Sequence, residues 1–276
     1  MLMGEHAVVY WYPCIVTSID RRLSVTAGGE GQATGDTRFL DAAVKLWGTP
    51  ETKLSTASSF SGKYGFGSSS AVTAAALKAL KPDADNKTLF DAAYRIIRDV
   101  QGVGSGFDAA ASIWGGTLYF VGGGKVIEPL AIKELPLIAG YTGVKADTTT
   151  LIKQVARKRE KEPAKVERIF QAIVKIVDEA KQRMLEGNWE RVGKLMDFNQ
   201  EYLRNLGVSS EKLEALISAA KKAGAWGAKL SGAGGGDCMI CLAKRDKREA
   251  IKRAIGEAGG EVIPVRANAE GVRVET

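Results

Sequence analysis

The stretch "KYGFGSSSAVTAAALKAL", residues 63–80, places two glycines and three serines directly before an alanine-rich segment. The residues that follow the serines are good helix formers, so the sequence predicts a helix that begins near Ser69. The first-turn N–H groups of a helix have no partner within it, and the macrodipole adds partial positive charge at that end. Glycines let a phosphate approach the backbone, and serine hydroxyls can bond its oxygens. The stretch therefore predicts a phosphate-binding loop, with a serine-capped helix after a glycine turn as the alternative.

The composition is that of an ordinary soluble protein. The chain has 276 residues, of which 45% are hydrophobic and 26% charged, enough for two moderate domains. The sequence contains no apolar run long enough to span a bilayer and no basic leader before "MLMGEHAVVYWYP", so we expect a cytoplasmic protein without a membrane partner. Cys14, Cys238 and Cys241 are interpreted as reduced core residues rather than zinc ligands.

The net charge of +7 does not by itself indicate a nucleic-acid partner. Basic residues are spread along the predicted helices, and their densest group, residues 153–165, is interleaved with glutamates and has no aromatic residue. This pattern is typical of a solvated helical face. We therefore expect no nucleic-acid binding, although mild attraction for anionic metabolites fits the charge.

The order of predicted elements indicates an α+β protein with two domains. Residues 7–19 are predicted to form two strands with a turn at Pro13, and helices follow at 36–48, 69–81 and 86–102. After a hairpin at residues 122–124, the second half reads as a strand, several amphipathic helices, two strands around a glycine loop, a helix and a last strand. We expect a first domain over 1–132 and a second over 133–276, the latter a compact α+β sandwich.

Glycine-rich segments recur at element junctions. They read "GFGSSSA" (65–71), "GVGSGFDAA" (102–110) and "LSGAGGGDC" (230–238), and "GEHAVVY" (4–10) precedes them. In this order the segments resemble the motifs of the GHMP kinase family, and the resemblance covers nearly the whole chain. It implies a ribosomal protein S5-like N-terminal domain, a ferredoxin-like C-terminal domain and an active site between them. It also implies transfer of the γ-phosphoryl group of ATP to a hydroxyl, with Mg²⁺.

The resemblance assigns roles to individual residues. The nucleotide phosphates would be held by Gly65, Gly67, Ser68, Ser69 and Ser70, with the Ser69 hydroxyl as the magnesium ligand. Asp108 falls at the catalytic aspartate, which accepts or orients the proton of the substrate hydroxyl. From the residues alone, Asp108 could equally be the N-cap of the helix "AAASIW".

A further set of residues is implied to contact the acceptor molecule, namely Glu5, His6, Ser105, Thr148, Gly232, Ala233 and Gly234. Each has a structural alternative. A single histidine before "AVVY" is often a satisfied core residue, "ADTTT" is also an ordinary helix start, and a glycine loop between strands is also a hairpin turn.

Within the family, residues 4–10 and 196–236 look most like mevalonate kinases, whereas "GSGFD" and "GGGDC" are similar to phosphomevalonate kinases. The first reading implies phosphorylation of the 5-hydroxyl of mevalonate in isoprenoid precursor synthesis, and the second implies 5-phosphomevalonate as the acceptor. The resemblance leaves room for a homodimer. The role of Asp237, which departs from the glycine pattern, does not follow from the sequence.

Two further departures motivate a third hypothesis. Relatives carry a lysine six residues before the glutamate equivalent to Glu5, and this sequence begins at Met1, too late to include it. Mevalonate kinases usually place a magnesium-binding glutamate eleven residues before the catalytic aspartate, where this sequence has Ile97; Asp99 is expected to face another side of the helix. The third hypothesis is therefore a protein of this family that binds nucleotide or metabolite without turnover.

Overall fold

A computed structural model describes residues 1–28, 33, 36–59 and 62–275. The strands are β1 (Pro13–Thr17), β2 (Leu23–Ala27), β3 (Leu54–Ser58), β4 (Thr117–Val121), β5 (Val126–Leu130), β6 (Leu137–Tyr141), β7 (Gly227–Ser231), β8 (Cys238–Leu242) and β9 (Glu261–Ile263). The helices are α1 (Arg38–Trp47), α2 (Ser68–Leu80), α3 (Asn86–Gln101), α4 (Phe107–Trp114), α5 (Thr148–Lys161), α6 (Pro163–Leu185), α7 (Trp189–Leu206), α8 (Glu211–Lys222) and α9 (Arg248–Glu257).

The first half of the chain packs helices α1 to α4 against two small antiparallel sheets. One sheet has the order β1-β4-β5, and the other pairs β2 with β3. Helix α3 buries the apolar stripe that its sequence predicts, including Leu89, Ala93 and Ile96. Helix α2 crosses β2 and contacts α1, α3 and α4, so its start is held by the core of this half.

The second half contains a four-stranded antiparallel sheet with the order β7-β8-β6-β9. Numbered within this domain, the order is 2-3-1-4, which is the ferredoxin-like arrangement. Helices α6, α7 and α8 supply the apolar side chains of the accompanying core, among them Phe170, Leu203 and Leu216. The predicted α+β architecture with a ferredoxin-like C-terminal domain is confirmed.

Strand β1 lies between the two hydrophobic cores. Ile15 belongs to the core of the second half, while its neighbours Cys14 and Val16 belong to the core of the first half. Successive side chains of a strand point to opposite faces, so this one strand contributes to both cores. The three cysteines are free and buried, as the sequence predicts.

The end of the chain returns to the first half. Isolated bridges join Ile19 to Ala267 and Gly115 to Glu270. A Cβ on Gly115 would lie 2.1 Å from the backbone nitrogen of Gly271, so the close approach requires glycine. The last residues thus pack beside the first domain, although the predicted boundary assigns them to 133–276; that boundary stays a prediction.

The prediction of a strand from residue 7 to a turn at Pro13 is wrong, and Pro13 is itself the first residue of β1. Ala7–Tyr10 forms a 3₁₀ turn, with His6 (φ 61°) before it and Trp11 (φ 71°) after it in the left-handed region. A strand cannot continue through left-handed residues, so the apolar run "AVVY" is buried as a turn. Among the described residues, no helix combines the length and apolarity that crossing a membrane requires.

Candidate active site

The predicted phosphate loop has the backbone that its glycines suggest. Gly65 (φ 70°) and Gly67 (φ 71°) adopt left-handed conformations, and α2 begins at Ser68, one residue before the predicted start. The N-cap is Gly67, and no side chain caps the helix. The serine-capped alternative is therefore not observed, and the first-turn N–H groups stay available for an anion.

Asp108 lies directly against this loop. It is the second residue of α4, whose N-cap is Gly106, so Asp108 is not the helix cap that the alternative proposed. A Cβ built on Gly67 would lie 3.3 Å from Asp108 Oδ1. Asp108 and Gly67 are 41 positions apart in the sequence, yet the fold brings the carboxylate and the loop together.

Burial raises the pKa of Asp108 to about 6, and the amino group of Met1 partly opposes that shift. The side chain is half-buried and lines the cavity described below. A carboxyl group with a pKa near 6 is ionised at neutral pH and still a competent proton acceptor. This combination suits a general base.

A cavity of about 1010 Å³ opens between the two halves of the molecule. The first half contributes Gly65, Gly67, Ser68, Ser69 and Asp108 to its lining. The second half contributes Thr148, Gly232 and Ala233. The volume is sufficient for a nucleotide together with a small acceptor. Eight of the predicted site residues therefore share one cavity.

Glu5 and His6 contact protein groups instead of lining the cavity. Glu5 is 1% exposed and forms a buried ion pair with Lys229 of β7, which is fully buried. His6 Nε2 donates a hydrogen bond to the carbonyl oxygen of Ala233 (2.9 Å). Burial lowers the pKa of His6 below its ordinary value, so the ring is neutral at pH 7. Both residues thus tie the N-terminal motif to β7 and the glycine loop, and direct acceptor contact stays a prediction for them.

The glycine loop between β7 and β8 divides into an open part and a packed part. Gly232 (φ 94°) has open space where a Cβ would lie, and it faces the cavity. A Cβ on Gly234 would be 2.1 Å from the carbonyl oxygen of Val208, and one on Gly236 would be 2.5 Å from that of Val144. Gly234 is therefore buried by close packing and is absent from the described lining of the cavity.

Two other predicted residues also lie outside that lining. Ser70 is 4% exposed within the start of α2. Ser105 is half-buried, and its carbonyl accepts a hydrogen bond from the Gly123 N–H (2.8 Å). Their roles in binding remain predictions.

Thr148 is the first residue of α5, and Asp147 caps that helix. Thr148 therefore starts a helix, as the structural alternative predicts, and it also lines the cavity.

Ile97 belongs to the core rather than to a metal site. It is 5% exposed, and a Cβ on Gly104 would lie 3.3 Å from its Cγ2. Asp99 faces solvent and pairs with Arg95 at 3.7 Å, on a different side of the helix as expected. Within the described residues no group of three or more His, Cys, Asp or Glu side chains could hold a metal ion.

The sequence reading missed two charged residues at the loop, Lys145 and Asp237. Asp237 Oδ1 lies 3.2 Å from Lys145 Nζ, and both residues line the cavity next to Gly65. The available signal was the departure of Asp237 from the glycine pattern. Without the fold, nothing in the sequence indicated that residues 65, 145 and 237 meet.

The segment that leads into the phosphate loop is attached to the second half of the molecule. The Tyr64 hydroxyl donates to Glu261 Oε1 (2.6 Å), and Lys63 Nζ lies 2.9 Å from Glu261 Oε2. The Tyr64 ring also packs edge-on against Tyr141, with centroids 5.4 Å apart. These contacts fix the loop relative to β6 and β9, so the position of the phosphate site depends on both domains.

Comparison with known proteins agrees with this geometry. Residues 37–116 match the GHMP kinases N terminal domain, and residues 176–261 match the GHMP kinases C terminal model. The mevalonate kinase of Thermococcus gammatolerans is 33% identical, with 100% of this chain and 96% of that protein covered. The chain belongs to the GHMP kinase family.

Solved structures share the fold of this GHMP kinase. L. major mevalonate kinase in complex with R-mevalonate superposes with a TM-score of 0.83 at 23% identity, covering 99% of this chain and 94% of that one. Streptococcus pneumoniae phosphomevalonate kinase, in complex with phosphomevalonate and AMPPNP, gives a TM-score of 0.80 at 16% identity, covering 96% of each chain. At these identities the likeness concerns the fold.

Proposed function

We propose that this protein is an ATP-dependent kinase that phosphorylates the 5-hydroxyl of mevalonate. The observation that carries the proposal is the position of the Asp108 carboxylate, 3.3 Å from where a Cβ on Gly67 would lie, in a cavity large enough for both substrates. In a kinase of this class, catalysis consists mainly of positioning the reactants and stabilising charge. The two groups that do this work lie side by side.

The reaction follows from the placement of these groups. Backbone N–H groups at residues 65–69 bind the phosphates of ATP. The acceptor hydroxyl oxygen attacks the γ-phosphorus, the bond to the β–γ bridging oxygen breaks, and ADP leaves. Asp108 accepts the hydroxyl proton.

Magnesium is proposed as the metal that accompanies the nucleotide. Mg²⁺ favours oxygen ligands and is commonly held by one or two protein groups together with substrate phosphates. The Ser69 hydroxyl, at the start of α2 in the lining of the cavity, is the protein oxygen that we propose would hold it. When bound, the ion would neutralise charge on the transferring phosphoryl group.

The proposal of mevalonate as the acceptor rests on similar proteins that are named mevalonate kinases. The relative at 33% identity, matched over 96% of its length, is a mevalonate kinase. Phosphomevalonate kinase is the second candidate. Asp237 follows the glycines in the sequence "GGGDC", and this sequence is similar to that of phosphomevalonate kinases. The two acceptors differ by one phosphate, so the phosphoryl-transfer geometry would serve either.

A coupled assay of ADP release decides between the candidates. We expect ADP release with mevalonate and magnesium, and little with 5-phosphomevalonate. The reverse preference would assign the second candidate. Bound nucleotide with no release from either acceptor would instead support the non-catalytic binding protein.

The remaining expectations on partners follow from the same proposal. The protein would act in the cytoplasm on small molecules. It would bind neither nucleic acid nor membrane. A homodimer is testable by light scattering of the purified protein, where a mass near 29.4 kDa would indicate a monomer.

A further inference from the structure

Asp237 has a backbone held in place from two directions. Its N–H donates to the carbonyl of Val144 (2.7 Å), and its own carbonyl accepts from the N–H (2.9 Å) and hydroxyl (3.0 Å) of Thr142. It is one of the few non-glycine residues with a positive φ, 52°. Aspartate tolerates this region better than most residues. The direction of its side chain is therefore set by the surrounding backbone.

The Asp237 carboxylate points at the phosphate loop. A Cβ on Gly65 would lie 2.6 Å from Asp237 Oδ2, and the carboxylate also accepts from the N–H of Ala146 (3.2 Å). The side chain is only 13% exposed. A negative charge in this place would repel the phosphates of a nucleotide unless a cation accompanied it.

Lys145 is that cation. Its Nζ lies 3.2 Å from Asp237 Oδ1 and would lie 3.4 Å from a Cβ on Gly65. The side chain is 53% exposed and lines the cavity, so its ammonium retains free donors on the side of the loop. One cation thus lies beside Gly65, two residues before the N-cap of α2.

The three arginines of the described lining are engaged elsewhere, and the Met1 ammonium donates to Ser231 Oγ (3.1 Å). Arg38 pairs with Asp36 (2.7 Å), and Arg22 pairs with Glu270 (3.6 Å) and donates to the carbonyl of Gly271. Arg21 donates to the carbonyl of Pro264. Lys145 Nζ is the cationic atom nearest to a Cβ position on Gly65, at 3.4 Å, and it comes from the opposite domain.

We propose that Lys145 binds the phosphate chain of the nucleotide, and that Asp237 positions it over the phosphate loop. The inference rests on the proposed function in that the ligand is a nucleotide. Lys145 reaches the site from the segment between β6 and α5, so both domains would contribute to nucleotide binding.

Calorimetric titration with β,γ-imido-ATP and with adenosine tests the proposal in magnesium buffer. Lys145→Met should raise the dissociation constant for imido-ATP about tenfold or more, because a charge-assisted hydrogen bond is lost. Adenosine, which has no phosphates, should bind Lys145→Met as it binds the unaltered protein. Lys153→Met removes the same charge from an exposed position of α5 and should leave both constants unchanged.

A double variant separates direct binding from neutralisation of Asp237. If Lys145 contacts phosphate, Lys145→Met/Asp237→Asn should bind imido-ATP at least about fivefold more weakly than Asp237→Asn alone. Equal affinity of these two variants would mean that Lys145 only neutralises Asp237, and it would overturn the proposal. Affinity of Lys145→Met for imido-ATP within twofold of the unaltered protein would overturn it as well.

The same titration distinguishes failure of this inference from failure of the proposed function. If the unaltered protein binds imido-ATP but phosphorylates no acceptor, the proposed activity fails while the lysine test stands. If mevalonate is phosphorylated and Lys145→Met keeps its KM for ATP, the activity stands and the role of Lys145 fails. Absence of imido-ATP binding would reject both.

Discussion

Glu5 and Asp108 are carboxylates from two glycine-flanked motifs, and the protein surrounds them differently. Glu5 is 1% exposed and forms an ion pair with the fully buried Lys229. Asp108 is half-buried, faces the cavity, and has its pKa raised to about 6 by burial. A buried charge with a dedicated counter-ion maintains structure, whereas a carboxylate with a raised pKa in a cleft is available for chemistry. The difference separates the junction between the domains from the reactive centre.

The largest effect is expected for Asp108→Asn. The amide has nearly the same shape but accepts no proton at neutral pH, so kcat should fall about 10²–10⁴-fold. Nucleotide affinity and the circular dichroism spectrum should stay close to those of the unaltered protein. Turnover within threefold would show that Asp108 has a structural role and would remove the contrast with Glu5.

Glu5→Ala should destabilise the fold by about 3–5 kcal/mol, because it leaves the Lys229 ammonium buried without its partner. Urea unfolding measures the change. Glu5→Gln/Lys229→Met removes both charges and should recover much of the loss. Asp91→Ala breaks an exposed pair with Lys87 and should cost about 0.5 kcal/mol or less. A similar cost for Glu5→Ala would mean that the buried pair is not a structural junction.

Gly67→Ala should lower kcat/KM about tenfold. The added Cβ would press on Asp108, and the alanine would have to adopt the left-handed backbone of this position (φ 71°). Gly102→Ala is the matched control. Gly102 has a similar φ of 74°, but nothing lies within 4 Å of its Cβ position. Equal losses in the two variants would attribute the effect to backbone strain rather than to Asp108.

The last prediction concerns the pH response. As the proposed general base Asp108 would act in its ionised form, so kcat/KM should fall about tenfold per pH unit below about 6. For stability the sign is opposite to that of a paired carboxylate. The folded-state pKa is above the ordinary value of 3.8, so ionisation of Asp108 weakens the fold as pH rises towards 6. Asp108→Asn should therefore have a higher Tm than the unaltered protein at pH 8, and this advantage should disappear near pH 4.

Local patterns were sufficient to predict much of the site. Glycines, serines and an alanine-rich run indicated the phosphate loop within one residue of the observed helix start. The resemblance assigned a catalytic role to Asp108; the structure places its carboxylate next to that loop, and the role stays a prediction. The 3₁₀ turn at residues 7–10 was missed because the left-handed φ of His6 and Trp11 is unusual for those residue types.

The sequence by itself determined most of the elements, the family and the glycine turn that begins α2, because these depend on periodicity and on short glycine patterns. Only the tertiary structure decided that Glu5 pairs with Lys229, 224 positions away, and that Asp237 and Lys145 meet at Gly65. Such pairs form when two domains close on each other, and no local preference encodes which charged side chains will then be neighbours. The role of a carboxylate follows from its neighbours and its burial, so it is a property of the folded chain.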